Sequence, residues 1–276
     1  MWQAIIITVI ILAGIVLYSF KSKPNKWIVY YGQQIQINDL KNVSLAILEP
    51  DHINPKQELD KSSSKFIAYL SVGEVNASRS YWADIKEKSF VLGPNPNWPD
   101  AYRIDIRSKA WQDLLIDKLI PEFITKGYKG IFLDTVDTAI YLENSDPSHY
   151  KGSKKAMVDF IKRIRNTYPK FIIIPNNGLE ILNQLGNTIN GVVVEDLYTR
   201  YDFANKTSVK TPVQDTIYKE KYLDIFKEAY NKPIYNILYA SSIHSEAAKY
   251  GIKASKRKGY EWYLTSVDLM SLGTTQ

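Results

Sequence analysis

The sequence predicts an α/β protein, a (β/α)8 (TIM) barrel of parallel strands. Eight short apolar runs rich in β-branched residues alternate with amphipathic stretches, the pattern of repeated βα units. The runs cover residues 27–32, 43–49, 66–72, 130–134, 171–176, 191–195, 234–240 and 260–267. Runs 131–133 and 192–194 are continuously apolar, as strands buried on both faces must be. An open doubly wound sheet is the alternative, but no glycine-rich phosphate loop follows the first strand.

Between the strands, four helices are predicted, over residues 108–126, 153–168, 215–230 and 242–250. Ser108 can cap the first helix, and a glycine or proline follows the end of each one. The segment 89–105 is rich in proline and asparagine, which excludes a helix there. We predict a rigid loop over the barrel mouth, where function resides in this fold.

The N-terminal region, residues 1–26, differs from the rest of the chain. Residues 2–20 form an almost uncharged apolar run of the length that crosses a bilayer as a helix, and Lys21, Lys23 and Lys26 follow it. No basic residue precedes the run and no good cleavage site is present, which favours an uncleaved transmembrane anchor over a cleaved signal. We therefore predict an anchor or signal segment and linker at 1–26 and the barrel domain at 27–276. The flanking lysines favour a cytoplasmic domain by the positive-inside rule, although long domains can be translocated regardless.

Composition narrows the chemistry. The chain has no cysteine, which excludes disulfides, thiolate catalysis and cysteine-bound metal. Its net charge is +6, but the lysines are scattered rather than arranged in an arginine-rich stripe, so no nucleic-acid binding is predicted. The 20 tyrosines and 6 tryptophans are many for this length; barrel cores use some such rings, and sugar-binding clefts use others.

Carboxylates gather at the predicted carboxyl ends of the strands, where active sites of this fold are built. Asp134 and Glu195 each end a fully apolar strand, where an unpaired charge is costly unless function requires it. We predict that they are the catalytic pair of a carbohydrate-cleaving enzyme, which needs no histidine, cysteine or cofactor. The candidate substrate-binding residues are Tyr31, Asp51, Glu74, Trp98, Asp137, Asn176, Asn177, Tyr198 and Tyr239.

Three alternatives stay open at these positions. Asp134 with Asp137 is a possible carboxylate-only magnesium site, although the three histidines are dispersed and no phosphate-binding motif accompanies it. Asp137 and Asp196 are also candidates for helix N-caps. Glu74 is equally a candidate salt-bridge partner for Arg79 or Arg103, and Trp98 is the best candidate for a sugar platform.

Four motifs carry a resemblance to a known family. They are Tyr-Leu-Ser-Val-Gly-Glu at 69–74, Gly-Ile-Phe-Leu-Asp-Thr-Val-Asp-Thr at 130–138, Asn-Asn-Gly at 176–178 and Val-Glu-Asp-Leu at 194–197. Together they resemble glycoside hydrolase family 114, the endo-α-1,4-polygalactosaminidases, to which the hydrolase domain of the Pel exopolysaccharide enzyme is related.

The resemblance implies an extracytoplasmic barrel that acts on a galactosamine-containing, cationic polymer. It implies that Asp134 and Glu195 match the catalytic pair and that Glu74 and Asp137 line the cleft. We expect a monomer tethered to the membrane or secreted. The competing functions are a non-catalytic, membrane-tethered polysaccharide-binding barrel and a cytoplasmic-facing lyase or isomerase.

Overall fold

Eight parallel strands form a barrel in the computed structural model, which describes residues 26–59 and 61–275. This architecture confirms the predicted (β/α)8 fold, and each strand falls within or one residue outside a predicted apolar run. In order around the barrel they are β1 (Lys26–Tyr30), β2 (Val43–Leu48), β3 (Lys65–Ser71), β4 (Gly130–Asp134), β5 (Ile172–Pro175), β6 (Val192–Val194), β7 (Ile234–Tyr239) and β8 (Glu261–Thr265).

Two continuous parallel ladders make up the barrel wall, one from β1 to β5 and one from β6 to β8. A single bridge, Asn176 to Val193, joins β5 to β6. Between β8 and β1 the closure is made by a side chain, because the Tyr263 hydroxyl donates to the Val29 carbonyl at 3.0 Å. The core lies inside and around this wall, and Ile131, Phe132 and Leu133 are fully buried.

Helices surround the barrel, as the alternating pattern predicts. Helical segments occupy Pro55–Glu58, Trp82–Ile85, Lys109–Asp113, Ile120–Thr125, Val136–Ser145, Ser153–Thr167, Leu179–Leu185, Val213–Tyr230 and Glu246–Lys258, with a 3-10 turn at Ile37–Leu40. The predicted helix 108–126 is confirmed, with Ser108 as its N-cap, but its middle, Leu114–Leu119, has the wider π form. Pro121 lacks the N–H that a regular α-helix would use there, and a π turn accommodates that loss.

Two predicted segments need correction. The helix predicted at 242–250 begins and ends later, at Glu246–Lys258, with Ser245 as its N-cap. Gly251 lies within this helix and does not end it. A glycine is needed there because the helix packs against Leu238, and a Cβ atom would approach a side-chain carbon of Leu238 to 2.6 Å. The predicted loop 89–105 is mostly an antiparallel hairpin, Val91–Asn95 with Trp98–Ile104, whose second strand also pairs with Glu74–Asn76. Pro94 lies at a register shift of this hairpin, where a proline is compatible with a strand.

A second hairpin, Thr199–Asp202 with Thr207–Lys210, follows β6. Both hairpins therefore leave the carboxyl ends of barrel strands, the edge where the predicted site lies. The predicted membrane segment lies outside the described residues, apart from Lys26, which begins β1. Within 26–59 and 61–275, no helix combines the length and apolarity needed to span a bilayer.

Candidate active site

Asp134 and Glu195 lie at the same edge of the barrel. Asp134 is the last residue of β4, and Glu195 follows the last residue of β6. Both residues are half-buried. Since all eight strands run in parallel, their carboxyl ends share one rim, and the structure brings these two carboxylates together there.

Asn176 links the two carboxylates directly. It follows β5, which lies between β4 and β6, and its side-chain Nδ2 donates to Asp134 Oδ1 at 3.0 Å and to Glu195 Oε1 at 2.6 Å. The two acceptor oxygens are therefore separated by no more than the sum of these distances, 5.6 Å.

Each carboxylate also receives a hydrogen bond from a tyrosine of its own. The Tyr69 hydroxyl donates to Asp134 Oδ2 at 2.8 Å, and the Tyr239 hydroxyl donates to Glu195 Oε2 at 2.6 Å. Tyr239 was among the predicted substrate-binding residues, whereas Tyr69 was not. The signal for Tyr69 was its position within the 69–74 motif, two residues before the end of a strand.

The environment of Glu195 favours its protonated form. Burial and, next to it, the nearby charge of Asp134 raise the pKa of Glu195 to about 7, although the hydrogen bonds from Tyr239 and Asn176 partly lower it. Near neutral pH one carboxyl of the pair can therefore carry a proton. Acid-assisted displacement at an acetal requires one carboxyl group that donates a proton and a second that is ionised.

Three residues that follow the site residues adopt left-handed backbone conformations. They are Thr135, with φ 58°, Asn177, with φ 51°, and Asp196, with φ 53°. Asparagine and aspartate tolerate this region, but for a β-branched threonine it is an outlier that functional sites favour. Thr135 is held there because its hydroxyl donates to the Asp134 carbonyl at 2.7 Å and accepts from the Gly73 N–H at 2.9 Å.

Lys219 binds the backbone of the turn that follows β6. Its Nζ donates to the Glu195 carbonyl at 2.7 Å and to the Asp196 carbonyl at 3.3 Å. Burial lowers the pKa of Lys219, while the charge of Asp196 opposes that shift. The lysine thus fixes the backbone that carries Glu195, a role that sequence patterns did not indicate.

A cleft of about 660 Å³ opens over the two carboxylates. Several predicted substrate-binding residues line it, namely Tyr31, Glu74, Trp98 and Tyr239. Trp98 is 57% exposed and contacts Phe203, 59% exposed, edge to face at 5.8 Å between ring centroids. These two rings come from the two different hairpins, so aromatic groups from both sides meet at the cleft. Phe203 and its neighbour Tyr201 were not predicted.

The five other residues predicted to bind substrate are not in the cleft wall; one of them is Asn176, which bonds to the two carboxylates instead. Tyr198 is fully buried in the core, with its hydroxyl donating to Glu220 at 2.8 Å. Asp51 forms an ion pair with Arg79 at 2.6 Å. The side-chain oxygen of Asn177 accepts a hydrogen bond from the Glu195 N–H at 3.2 Å. Asp137 lies one turn beyond Asp134; the residue is exposed, but protein atoms crowd its carboxylate, and this burial, with the charge of Asp134, raises its pKa to about 6.

Glu74 forms neither of the two salt bridges that the sequence suggested, with Arg79 or with Arg103. Arg79 instead binds both oxygens of Glu49, at 2.7 and 2.9 Å. Arg103 lies over the Tyr141 ring at 4.4 Å. In the part of the chain that the structure describes, no group of three or more histidine, aspartate or glutamate side chains is placed to hold a metal ion.

The raised pKa of Glu195 predicts a pH-dependent stability effect. A carboxyl whose folded-state pKa lies above its unfolded value destabilises the fold progressively as pH rises from about 4.5 to about 7. Replacing Glu195 with Gln removes this loss, so we expect about 1–3 kcal/mol of added stability at pH 8 and almost none at pH 4. Thermal unfolding of both proteins at the two pH values measures it, and equal shifts at both would contradict the assigned cause.

A (β/α)8 barrel with a close pair of carboxylates at its carboxyl edge is the arrangement of a large class of glycosidases. The chain belongs to glycoside-hydrolase family GH114, whose family model matches residues 18–276.

Solved structures share the fold of this chain. The glycoside hydrolase domain of PelA from Pseudomonas aeruginosa superposes with a TM-score of 0.80 at 24% identity, covering 92% of this chain and 99% of that one. Aspergillus fumigatus Ega3, solved with galactosamine, gives 0.70 at 16% identity, covering 93% and 98%. At these identities the likeness concerns the fold. Protein MJ1477 of Methanocaldococcus jannaschii is 30% identical over 194 residues, and the chain spans about half the length of the curated relatives it matches.

Proposed function

We propose that the protein is a glycoside hydrolase that cleaves within a galactosamine-containing exopolysaccharide, with Glu195 as proton donor and Asp134 as nucleophile. The observation that carries this proposal is the Asn176 amide, which donates to both carboxylates and limits their separation. The raised pKa of Glu195 supports its role as the acid, since a proton donor must hold its proton at the working pH.

The reaction runs in two displacements at the anomeric carbon. Glu195 gives its proton to the glycosidic oxygen as the bond to the leaving sugar breaks, and Asp134 forms a covalent bond to the anomeric carbon. Glu195, now ionised, takes a proton from a water molecule, which displaces Asp134 and releases the second sugar product. Tyr69 and Tyr239 hold the two carboxylates in place throughout, through the hydrogen bonds described above.

The short separation predicts retention of anomeric configuration. Retaining enzymes hold their carboxyl groups about 5–5.5 Å apart, whereas inverting enzymes leave about 6.5–9.5 Å for a water molecule. The limit of 5.6 Å between the two bridged oxygens falls on the retaining side. Proton NMR during the first minutes of hydrolysis should therefore show the α-anomer of the new reducing end from an α-linked polymer, before mutarotation. Appearance of the β-anomer first would refute a nucleophilic Asp134.

Two observations support an aminosugar polymer as the substrate. The cleft wall carries Glu74, Asp134, Glu195, Asp196 and Asp268, an acidic surface suited to a cationic chain. Ega3, which shares the fold, was solved in complex with galactosamine. The exposed Trp98 adds an aromatic face on which a sugar ring can pack.

The direct test is hydrolysis. The full chain, purified in detergent, is incubated with partially deacetylated polygalactosamine, and the products are analysed by mass spectrometry. Shorter oligosaccharides with free reducing ends are expected. A polymer that binds but keeps its length would favour the non-catalytic binding barrel instead.

We also propose that residues 1–26 tether the barrel to the outer face of the cell membrane, as the apolar run 2–20 suggests. An exopolysaccharide substrate requires this orientation. Protease added to intact cells should then degrade the barrel domain. Protection of the domain until the cells are lysed would support the cytoplasmic-facing alternative.

A further inference from the structure

Two glutamates of this protein are equally buried, but only one of them has a positively charged partner for its carboxylate. Glu49 and Glu74 are each 7% exposed. Glu49 has both oxygens bound by the guanidinium of Arg79. A buried carboxylate ordinarily needs such a partner, because the loss of hydration is costly without one.

Glu74 has only neutral partners. Its Oε1 accepts from the Asn95 amide at 3.0 Å and from the Thr138 hydroxyl at 3.1 Å, and its Oε2 has only a longer contact of 3.2 Å with the same amide. Across residues 26–59 and 61–275, no lysine, arginine or histidine lies within ion-pair distance of it. Arg103 is its direct partner in the strand ladder, yet the guanidinium packs on Tyr141.

The cleft that Glu74 lines supplies no counter-charge either. Arg79 is the one lysine or arginine in the described cleft wall, and its guanidinium is already bound by Glu49 and Asp51. A cationic ligand in the cleft could therefore supply the positive charge that Glu74 lacks. Trp98 lines the same cleft and offers its ring to the body of that ligand.

We propose that Glu74 is the ammonium-binding group of a sugar subsite, one that selects a residue with a free amine over its N-acetylated form. This inference rests on the proposed function and adds the determinant of specificity. The ammonium binds at Oε2 and neutralises the buried carboxylate. An acetamido group carries no charge, is larger, and leaves Glu74 uncompensated, so the subsite disfavours it.

The test compares two substrates in two variants. Glu74→Gln keeps the side-chain shape and can still accept from Asn95 and Thr138, but it loses the charge. We expect the ratio of kcat/KM for a fully deacetylated oligomer over a fully acetylated one to fall about 10- to 100-fold. The matched control, Glu87→Gln, changes an exposed glutamate and should keep the wild-type ratio.

Other outcomes would overturn the proposal. An unchanged ratio in Glu74→Gln means that the carboxylate does not sense the amine, even if both activities fall. If the wild type cleaves neither oligomer, the proposed function fails, and calorimetric binding of the same two oligomers to wild type and Glu74→Gln still tests the subsite. Equal affinities of the wild type for both oligomers would then exclude it. Thermal unfolding confirms that each variant is folded.

Discussion

Replacing Asp134 with Asn is expected to lower kcat on the galactosamine polymer by about 10⁴-fold or more, the scale on which loss of a nucleophilic group acts. Asn is nearly isosteric and can still accept from Tyr69, so substrate binding should survive. Steady-state kinetics should thus show a collapse of kcat with a small change in the dissociation constant of the polymer. Asp84→Asn, which alters an exposed aspartate on a short helix, is the matched control and should retain wild-type kinetics.

Chemical rescue can assign the separate roles of Asp134 and Glu195. Glu195→Ala loses the proton donor, and we expect a fall of about 10²- to 10⁴-fold. Azide should restore part of the turnover in this variant by attacking the Asp134-linked intermediate, giving a glycosyl azide of retained configuration. In Asp134→Ala, azide would replace the nucleophile and give the inverted product. Reversal of these two configurations would show that the residues exchange roles.

The second large effect is expected at Asn176. Removing its side chain in Asn176→Ala takes a hydrogen bond from both carboxylates at once, and we expect kcat/KM to fall about 10²-fold. The amide lowers the pKa of Glu195, so its removal raises that pKa. The basic limb of the kcat/KM profile, near pH 7 in the wild type, should consequently move to higher pH in the variant.

Two tyrosine variants separate these effects. Tyr239→Phe removes a hydrogen bond from Glu195 alone and should also move the basic limb upward. Tyr69→Phe removes one from Asp134 alone and should lower activity without the upward shift. If all three variants reduced activity at every pH in parallel, Asn176 would be a structural residue rather than one that sets the acidity of Glu195.

The barrel was predictable because its strands are buried on both faces. Runs such as Val192–Val194 are typical of core strands, and this one is followed by Glu195, so the strand end and the candidate site residue were found together. The helix Ser153–Thr167 was also predicted, from its amphipathic pattern and the proline at position 169 that follows it. The hairpin at 89–105 was missed because proline discourages strands on average, whereas pairing between its two strands and with Glu74–Asn76 outweighs that tendency here.

The site was predictable in its residues but not in its contacts. Position at a strand end identified Asp134, Asn176 and Glu195, yet nothing local indicates that one amide bridges both acids. Tyr198 was misplaced because a tyrosine three residues after Glu195 can turn into the core as readily as into the cleft. Lys219 and Phe203 lie 24 and 8 residues from Glu195 along the chain, and only the tertiary fold makes them its neighbours.

One of the two interruptions in the ladders of the barrel wall passes through the site. Only one bridge joins β5 to β6, and Asn176 and Glu195 stand on its two sides. Local opening, which proteins undergo most readily where few hydrogen bonds hold, would widen this junction more readily than the continuous ladders on either side. Because Asp134 and Glu195 lie on opposite sides of it, widening would increase their separation and make room for a water molecule between them. If the proposed double displacement holds, the Asn176 amide, which spans that junction, is expected to keep the two carboxylates close enough for it.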